Sequence, residues 1–421
     1  MSESHPIPVI AIIGAGLSGT MAAVLLNKLG FLVEIYEKRP DPRTILDSAS
    51  SAASEGGGGE FGRSTSATKR SINLALSHRG MQALAAAGIL DLVMPHVIRM
   101  PCRVIHQLEE QPATSPSTAS SPKVKIVKQP YGTPDQAIWS VSREVLNALL
   151  LDAAAASKST SIFFDTSLVS ADKTGACVFK QQQDGTSNSN NSNSNSSSSS
   201  TYKRKTYSLV LGADGAYSAT RESMLRQGRV NFSRTYIAHG YKELCIPAVA
   251  VDTSRQPPHP HPIPSSFPPS SFSPPSPPSS KAGDDRSSSS ASASSESSSS
   301  SYAYALESHE GLHIWPRGRF MLIALPNEDK SFTATLFAPN HGPDGFDSVD
   351  PNDASAVTAY FQRHFPDVLP LMPDLAIDYR SNPVGSLVTV RVDPWVQGSV
   401  LLLGDAAHAV VPFFGQGMNA G

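Results

Sequence analysis

The chain has 421 residues, 39% of them apolar, and a formal net charge of -2. That length suits two domains or one large domain with a satellite, and near-neutrality excludes bulk attraction to nucleic acid or to an anionic membrane surface. Only three cysteines occur, Cys102, Cys177 and Cys245, too widely spaced for a disulfide framework or a zinc knuckle, and no metal-ligand constellation is visible.

In chain order, Ile7 to Ile13 is a short β-branched run that predicts a strand. "GTMAAVLLNKLG" follows as a helix ending at Gly30, and "FLVEIYEKR" is the next strand. This β-α-β opening predicts a doubly wound sheet. The turn carries G-x-G-x-x-G at Gly14, Gly16 and Gly19. In that pattern the first glycine makes the tight turn, the second lets a pyrophosphate approach, and the third lets helix and strand touch. Glu37, about 20 residues on, stands where a carboxylate can hold a ribose 2′-OH. Such an acid would oppose the 2′-phosphate of NADP at this site. The motif alone leaves FAD or NAD open, with a plain tight turn and a solvent-facing Glu37 as the alternative.

Ser48 to Arg70 reads as a flexible excursion, and "SHRGMQALAAAGILDLVMP" as a helix with a turn at Ala87-Gly88. "CRVIHQLEE" and "KVKIVKQPYG" read as two arms of a hairpin. "SREVLNALLLDAAAAS" predicts another helix, and "TYSLVLGADG" a buried strand ending in a glycine turn. Two segments, 181–200 and the Pro/Ser-rich stretch within 254–301, lack the apolar surface to offset their ordering entropy. The first is expected to loop out between the strands "ACVFK" and "TYKRKTYSL". "PPSPP" in the second is weakly compatible with polyproline recognition by a protein partner.

"YAYALE", "GLHIWPRG", "FMLIALPN" and "SFTATLFAP" predict an antiparallel sheet. A helix from about Asp353 to Phe365 follows, and Val400 to Leu403 is expected to return to the first sheet. Asp405, at that strand's end, can accept from a ribityl hydroxyl or cap a helix. Pro412, Gly415, Gly417 and Asn419 form a compact path able to approach a flavin edge. No apolar run reaches the roughly 18 residues of a membrane span.

"GADGAYSATR", Gly212 to Arg221, and "GDAAH", Gly404 to His408, resemble two further fingerprints of the class A FAD-dependent aromatic hydroxylases. "RSINLALSHRG", "QPYG", "SVSRE", "HGYKEL", "LHIWPRG", "FMLIALPN" and "VPFFGQGMNAG" resemble the kynurenine 3-monooxygenase family over nearly all the foldable chain. The resemblance implies an α/β fold: a Rossmann-like FAD-binding domain of the aromatic hydroxylase type with an interleaved antiparallel-sheet substrate domain. FAD-binding parts are expected at 1–95, 136–225 and 391–421, with a substrate-side hairpin at 96–135 and the substrate domain at 226–390.

The implied activity is NADPH- and O2-dependent hydroxylation of L-kynurenine to 3-hydroxykynurenine through an FAD C4a-hydroperoxide, in NAD biosynthesis from tryptophan. The resemblance places substrate contacts at Arg103, Tyr131 and Asn419. It places cofactor contacts at Gly14, Gly16, Leu17, Gly19, Glu37, Arg143, Asp214, Asp405, Gly417, Met418 and Asn419. It assigns no catalytic side chain, and His78 and His408 receive no acid-base role. On the residues alone, Arg103 reads as a surface strand residue, Tyr131 as a turn or core aromatic, and Arg143 as half of a helix-surface ion pair. Trp315 is expected either to wall an aromatic pocket or to pack in the core. The resemblance further implies a mitochondrial outer-membrane location and a eukaryotic, fungal form truncated at its C-terminal end. Rival readings are another class A hydroxylase and a flavin-binding fragment without productive turnover.

Overall fold

The computed structural model describes residues 7–44, 73–109, 123–182, 200–251 and 301–421. The Ser48–Arg70 excursion and nearly all of the two biased segments lie outside the described residues. The chain divides into two compact units, Met1–Ala248 with Tyr304–Gly421, and Val249–Ala303.

Strand β1 (Val9–Ile13), helix α1 (Leu17–Lys28) and β2 (Leu32–Tyr36) form the opening unit. Strand β3 (Asn73–Leu76), helices α2 (His78–Ala87) and α3 (Leu90–Val93), and β4 (Ile98–Met100) lead into β5 (Cys102–Leu108) and β6 (Val124–Pro130). Then come β7 (Ile138–Ser142), α4 (Arg143–Ala155), β8 (Thr160–Phe163), β9 (Thr166–Ala171), β10 (Ala176–Gln182), β11 (Ser200–Thr206), β12 (Leu209–Gly212) and α5 (Ala219–Gln227). The long β13 (Asn231–Ile246) precedes β14 (Val249–Val251) and β15 (Ser301–Ala303), an antiparallel pair that forms the second unit's ladder. Strands β16 (Gly311–Arg317), β17 (Phe320–Pro326) and β18 (Phe332–Pro339) precede helices α6 (Ala354–His364) and α7 (Leu375–Ser381). Strands β19 (Gly385–Asp393), β20 (Val396–Gln397) and β21 (Val400–Leu402), with short helices α8 (Asp405–His408) and α9 (Gln416–Ala420), finish the chain.

A six-stranded sheet in the order β20-β21-β12-β1-β2-β8 carries the glycine turn. Its central strands pair in parallel, β12 with β1 and β1 with β2, and β21 joins β12 as expected for the return at Val400. Parallel strands need long crossovers and both faces covered. Here α1 and α4 share one apolar core with Ile10, Ile12, Val33 and Ile35. Ala11, Ile13, Tyr36 and Val210 sit in another core with β9 and β10. Strands β10 and β11 pair from Ala176↔Thr206 to Gln182↔Ser200, so the first biased segment joins the two arms of one hairpin.

The second large sheet runs β19-β13-β18-β17-β16-β5-β6. It is antiparallel except for β5 and β16, which pair in parallel because some two hundred residues of chain separate them and supply the crossover. Of "YAYALE", only Tyr302 and Ala303 lie in a strand, β15, while Leu306 further on is buried in the sheet's core. Helix α6 spans the expected segment, with Asp353 capping it through the Ser355 and Ala356 amides.

Trp315 is fully buried, which decides for core packing over a pocket wall. Its ring stacks on His106 at 4.1 Å, and its Nε1 donates to Asp367 Oδ2 at 2.8 Å. The same oxygen accepts from His106 Nδ1 at 2.7 Å. His313 Nε2 lies 3.0 Å from the Ser308 carbonyl, and its Nδ1 shares a hydrogen bond with His106 Nε2 at 2.9 Å. This buried chain ties β5 to β16 beneath the hairpin.

The membrane expectation is corrected. Among the described residues no helix is long and apolar enough to cross a membrane. The longest, α4, has 13 residues and buries only one stripe.

Burial, then the neighbouring His106, lowers the His313 pKa from 6.5 to about 4. The unfolded chain therefore binds the extra proton first, so stability present above pH 6.5 is lost as pH falls towards 4, by roughly 3 kcal/mol. Urea unfolding at pH 7 and pH 4.5 measures this loss. The substitution His313→Gln is expected to flatten it, and an unchanged slope in that variant would contradict the assignment.

Candidate functional site

The glycine corner is set by backbone contact. Gly14 has φ +103°, and an added Cβ there would lie 2.5 Å from the Ala213 carbonyl oxygen. At Gly19 an added Cβ would collide with the Gly14 carbonyl oxygen. The two glycines let α1 begin hard against β1 and β12. Gly16 is different: it is the N-cap of α1, without a side-chain cap, and an added Cβ would meet nothing within 4 Å. The first-turn amides, Leu17 among them, thus begin at an open space suited to an anion.

Glu37 is 5% exposed, which removes the solvent-facing alternative. Its Oε2 accepts from the Ala15 amide at 2.9 Å and its Oε1 from Arg39 Nε at 2.9 Å. Burial alone would raise this carboxyl, but Arg39 and the Ala15 amide outweigh it and hold it below the usual range. Arg39 was not singled out in the sequence; its signal was the spacing in "YEKR", which points a cation back at the acid.

Two later segments converge on this corner. Asp214 follows β12, beside Gly14. Its Oδ2 accepts from the Thr220 amide and hydroxyl at 3.0 and 3.1 Å, while its buried Oδ1 has no partner. Gly404 takes φ +55°, and a Cβ there would lie 2.6 Å from Ser18 Oγ, so the start of α8 sits against the start of α1. Asp405 opens α8 exposed and makes no capping bond, so the helix-cap alternative is not realised. Arg221, also missed, is fully buried and joins the two fingerprints by donating to the Ala406 and Ala216 carbonyls at 2.9 and 2.6 Å.

The last helix is clamped by Asn419. Its Nδ2 donates to the Ala75 and Gly415 carbonyls at 2.8 and 2.7 Å, and its Oδ1 accepts from the Ser77 amide at 2.8 Å. The carboxamide is therefore committed to protein partners, which hold α9 against β3 and α2. Met418 packs into the nucleotide-side core, and Gly417 lies next to it in the same turn. Upstream, Phe413 meets Phe337 of β18 edge-on at 5.4 Å, linking the glycine loop to the second sheet.

Arg103 and Tyr131 come together through the hairpin register. Arg103 pairs with Gln129 across β5 and β6, and the Tyr131 amide donates to the Pro101 carbonyl at 3.1 Å. The Arg103 guanidinium carbon lies 4.5 Å from the Tyr131 ring centroid. The Tyr131 hydroxyl is buried without a partner, and burial pushes it up to about 12 against the opposing Arg103 charge. Arg143, exposed at the first turn of α4, has no ion-pair partner among the described residues. Its charge instead reaches Glu243 of β13, whose carboxyl burial and Glu144 push up to about 7. His408 packs on Trp395 at 5.1 Å, and His78 is an exposed first-turn residue of α2.

A dinucleotide fits this corner. The open space at Gly16, the unpartnered Asp214 Oδ1 and the uncommitted Asp405 carboxylate are the donors, acceptors and room such a group needs. The FAD binding domain family matches residues 380–421, and the NAD(P)-binding Rossmann-like domain family matches residues 12–54. The chain is 35% identical over 413 residues to the kynurenine 3-monooxygenase of Flavobacterium psychrophilum, covering 98% of this chain and 69% of that protein. It is 35% identical over 412 residues to the kynurenine 3-monooxygenase of Dictyostelium discoideum, covering 98% and 67%. The fold is similar to that of 2-methyl-3-hydroxypyridine-5-carboxylic acid oxygenase, with a TM-score of 0.58, 18% identity, and coverage of 98% of this chain and 79% of that one.

Two substitutions separate seating from binding. Gly19→Ala is expected to lower apoprotein stability by about 1–3 kcal/mol despite its better helix propensity, because backbone must move. Gly16→Ala should cost the apoprotein no more than the loss of a tolerated N-cap, about 0.5–1 kcal/mol, while weakening FAD retention about tenfold, roughly 1.4 kcal/mol. Thermal melts and flavin absorbance per chain measure both; equal behaviour of the two variants would contradict the geometry.

Proposed function

The chain belongs to the kynurenine 3-monooxygenase family, and on that premise we propose that it hydroxylates L-kynurenine at ring position 3 with NADPH and O2. It is an FAD-dependent monooxygenase that uses FAD and NAD(P)H. Bound FAD supplies the redox chemistry and oxygen activation that side chains lack. One oxygen atom enters the ring, the other leaves as water, and the nicotinamide provides the two electrons.

The residues of this chain bind, orient and exclude water. The first-turn amides of α1 receive the pyrophosphate at Gly16, Glu37 takes a ribose hydroxyl, and Asp405 takes a ribityl hydroxyl. Asp214 and Arg143 complete the cofactor contacts, with Gly417 and Met418 contributing backbone. Asn419 acts mainly as a clamp that fixes this loop. Arg103 meets the substrate carboxylate with its planar fork, and the Tyr131 hydroxyl adds one donor. Phe337 and Phe413 offer aromatic surface to the substrate ring and keep water from the reaction centre. The ortho-amino group of kynurenine already activates the ring, so no strong protein base is required.

The observation that carries this reading is the Arg103–Tyr131 pair, a cation beside a buried hydroxyl that has no protein partner. A charge-assisted bond of this kind is worth about 1.5–3 kcal/mol. Steady-state kinetics should therefore show KM for L-kynurenine rising roughly 10- to 100-fold in Arg103→Ala, with a smaller rise in Tyr131→Phe. Arg103→Lys should restore charge but only part of the affinity. KM unmoved in all three would contradict the assignment.

A further inference from the structure

The sheet of β9, β10 and β11 packs on the face of β2 opposite α1, and beside it lies a cavity of about 400 Å³. None of the residues assigned to flavin or substrate lines it. Its volume falls within the range of small-molecule sites, about 300–1,000 Å³.

One wall is an aromatic stack. Phe163 lies on Tyr36 with centroids 4.9 Å apart and planes 14° off parallel, and Tyr36 lies on Phe179 at 3.9 Å and 18°. Phe163 is the outer ring, 40% exposed, while Tyr36 and Phe179 back it from the core. The other wall is basic. Lys203 stands opposite Phe179, and Lys205 opposite Cys177, so both lysines alternate to the same side of β11. Arg204, between them on the strand, also lines the cavity.

The one acid in the lining is already satisfied. Glu34 accepts from the Tyr36 and Tyr207 hydroxyls, each at 2.8 Å, and from Lys205 Nζ at 2.5 Å. Lys203 and Arg204 have no ion-pair partner among the described residues, leaving two cations beside an exposed ring. Neutral or purely apolar ligands would leave those cations unused. A planar ring joined to phosphate uses both walls, the ring by stacking and the phosphate by charge-assisted hydrogen bonds.

We propose that this cavity is a second nucleotide site, binding a nucleoside phosphate with its base against Phe163 and its phosphate at Lys203 and Arg204. The phosphate-bearing adenosine can come from two sources, the adenosine end of NADPH or a free nucleotide. Glu37 disfavours a 2′-phosphate in the glycine corner, so a separate basic site is where such a group meets least opposition. The binding claim does not rest on kynurenine being the substrate.

The test titrates 2′,5′-ADP and 5′-AMP calorimetrically into the FAD-loaded full chain without kynurenine. Saturable binding is expected, weakened at least tenfold by Phe163→Ala and by Lys203→Ala combined with Arg204→Ala. Flavin content should stay unchanged in all these variants, and melting temperature should stay unchanged in the Lys203→Ala, Arg204→Ala double variant, whose side chains are exposed. If KM for NADPH rises in parallel while KM for kynurenine does not, the occupant is NADPH. If nucleotide binding is lost but KM for NADPH stays put, the occupant is a free nucleotide. No binding of either nucleotide, or binding that survives every substitution, overturns the proposal.

Discussion

The close seating of Gly19 on the Gly14 carbonyl is the contact on which the site depends. A side chain at either position would lift α1 from β1 and β12, and the first-turn amides would no longer face the open space at Gly16. The cost of this arrangement is local: α1 starts without a side-chain cap. The later fingerprints are then held to the same corner by contacts rather than by chain proximity. Ser18 touches the Gly404 turn, and Arg221 bridges Ala216 and Ala406. Asn419 pulls the last helix onto Ala75 and Ser77.

The second sheet works differently. Its strands present one face to a core centred on Trp315, Phe332, Phe361 and Phe365, and the opposite face carries Arg103, Glu243 and Phe337. Strand alternation therefore lets one set of residues build the core while the next set faces away from it. The buried Asp367–His106–His313 chain stiffens the stability side directly beneath the hairpin that bears Arg103. The Phe413–Phe337 contact joins this sheet to the glycine loop ahead of the last helix.

Much of this was legible in the sequence because the signals are local. The β1-α1-β2 opening, the β5–β6 hairpin and the helix beginning near Asp353 each follow from residues within a short window. The hairpin register alone brings Arg103 to Tyr131. The Asn419 clamp was not legible, since two of its three partners, Ala75 and Ser77, lie more than 340 residues away and no pattern near Asn419 names them. Arg221 was part of a recognised segment, yet its bridging role depends on where β21 returns. Trp315 stayed ambiguous until Asp367 supplied its hydrogen-bond partner. The aromatic stack of Tyr36, Phe163 and Phe179 joins three strands from two sheets, which periodicity in any one strand cannot reveal. The expected membrane location came from resemblance alone, and the described helices do not support it.

The most direct test of the account measures NADPH oxidation by FAD-loaded protein with and without L-kynurenine, quantifying 3-hydroxykynurenine and H2O2 together. The account predicts kynurenine-stimulated oxidation with 3-hydroxykynurenine formed in proportion to NADPH consumed. Tightly held FAD with no stimulation by kynurenine would contradict it.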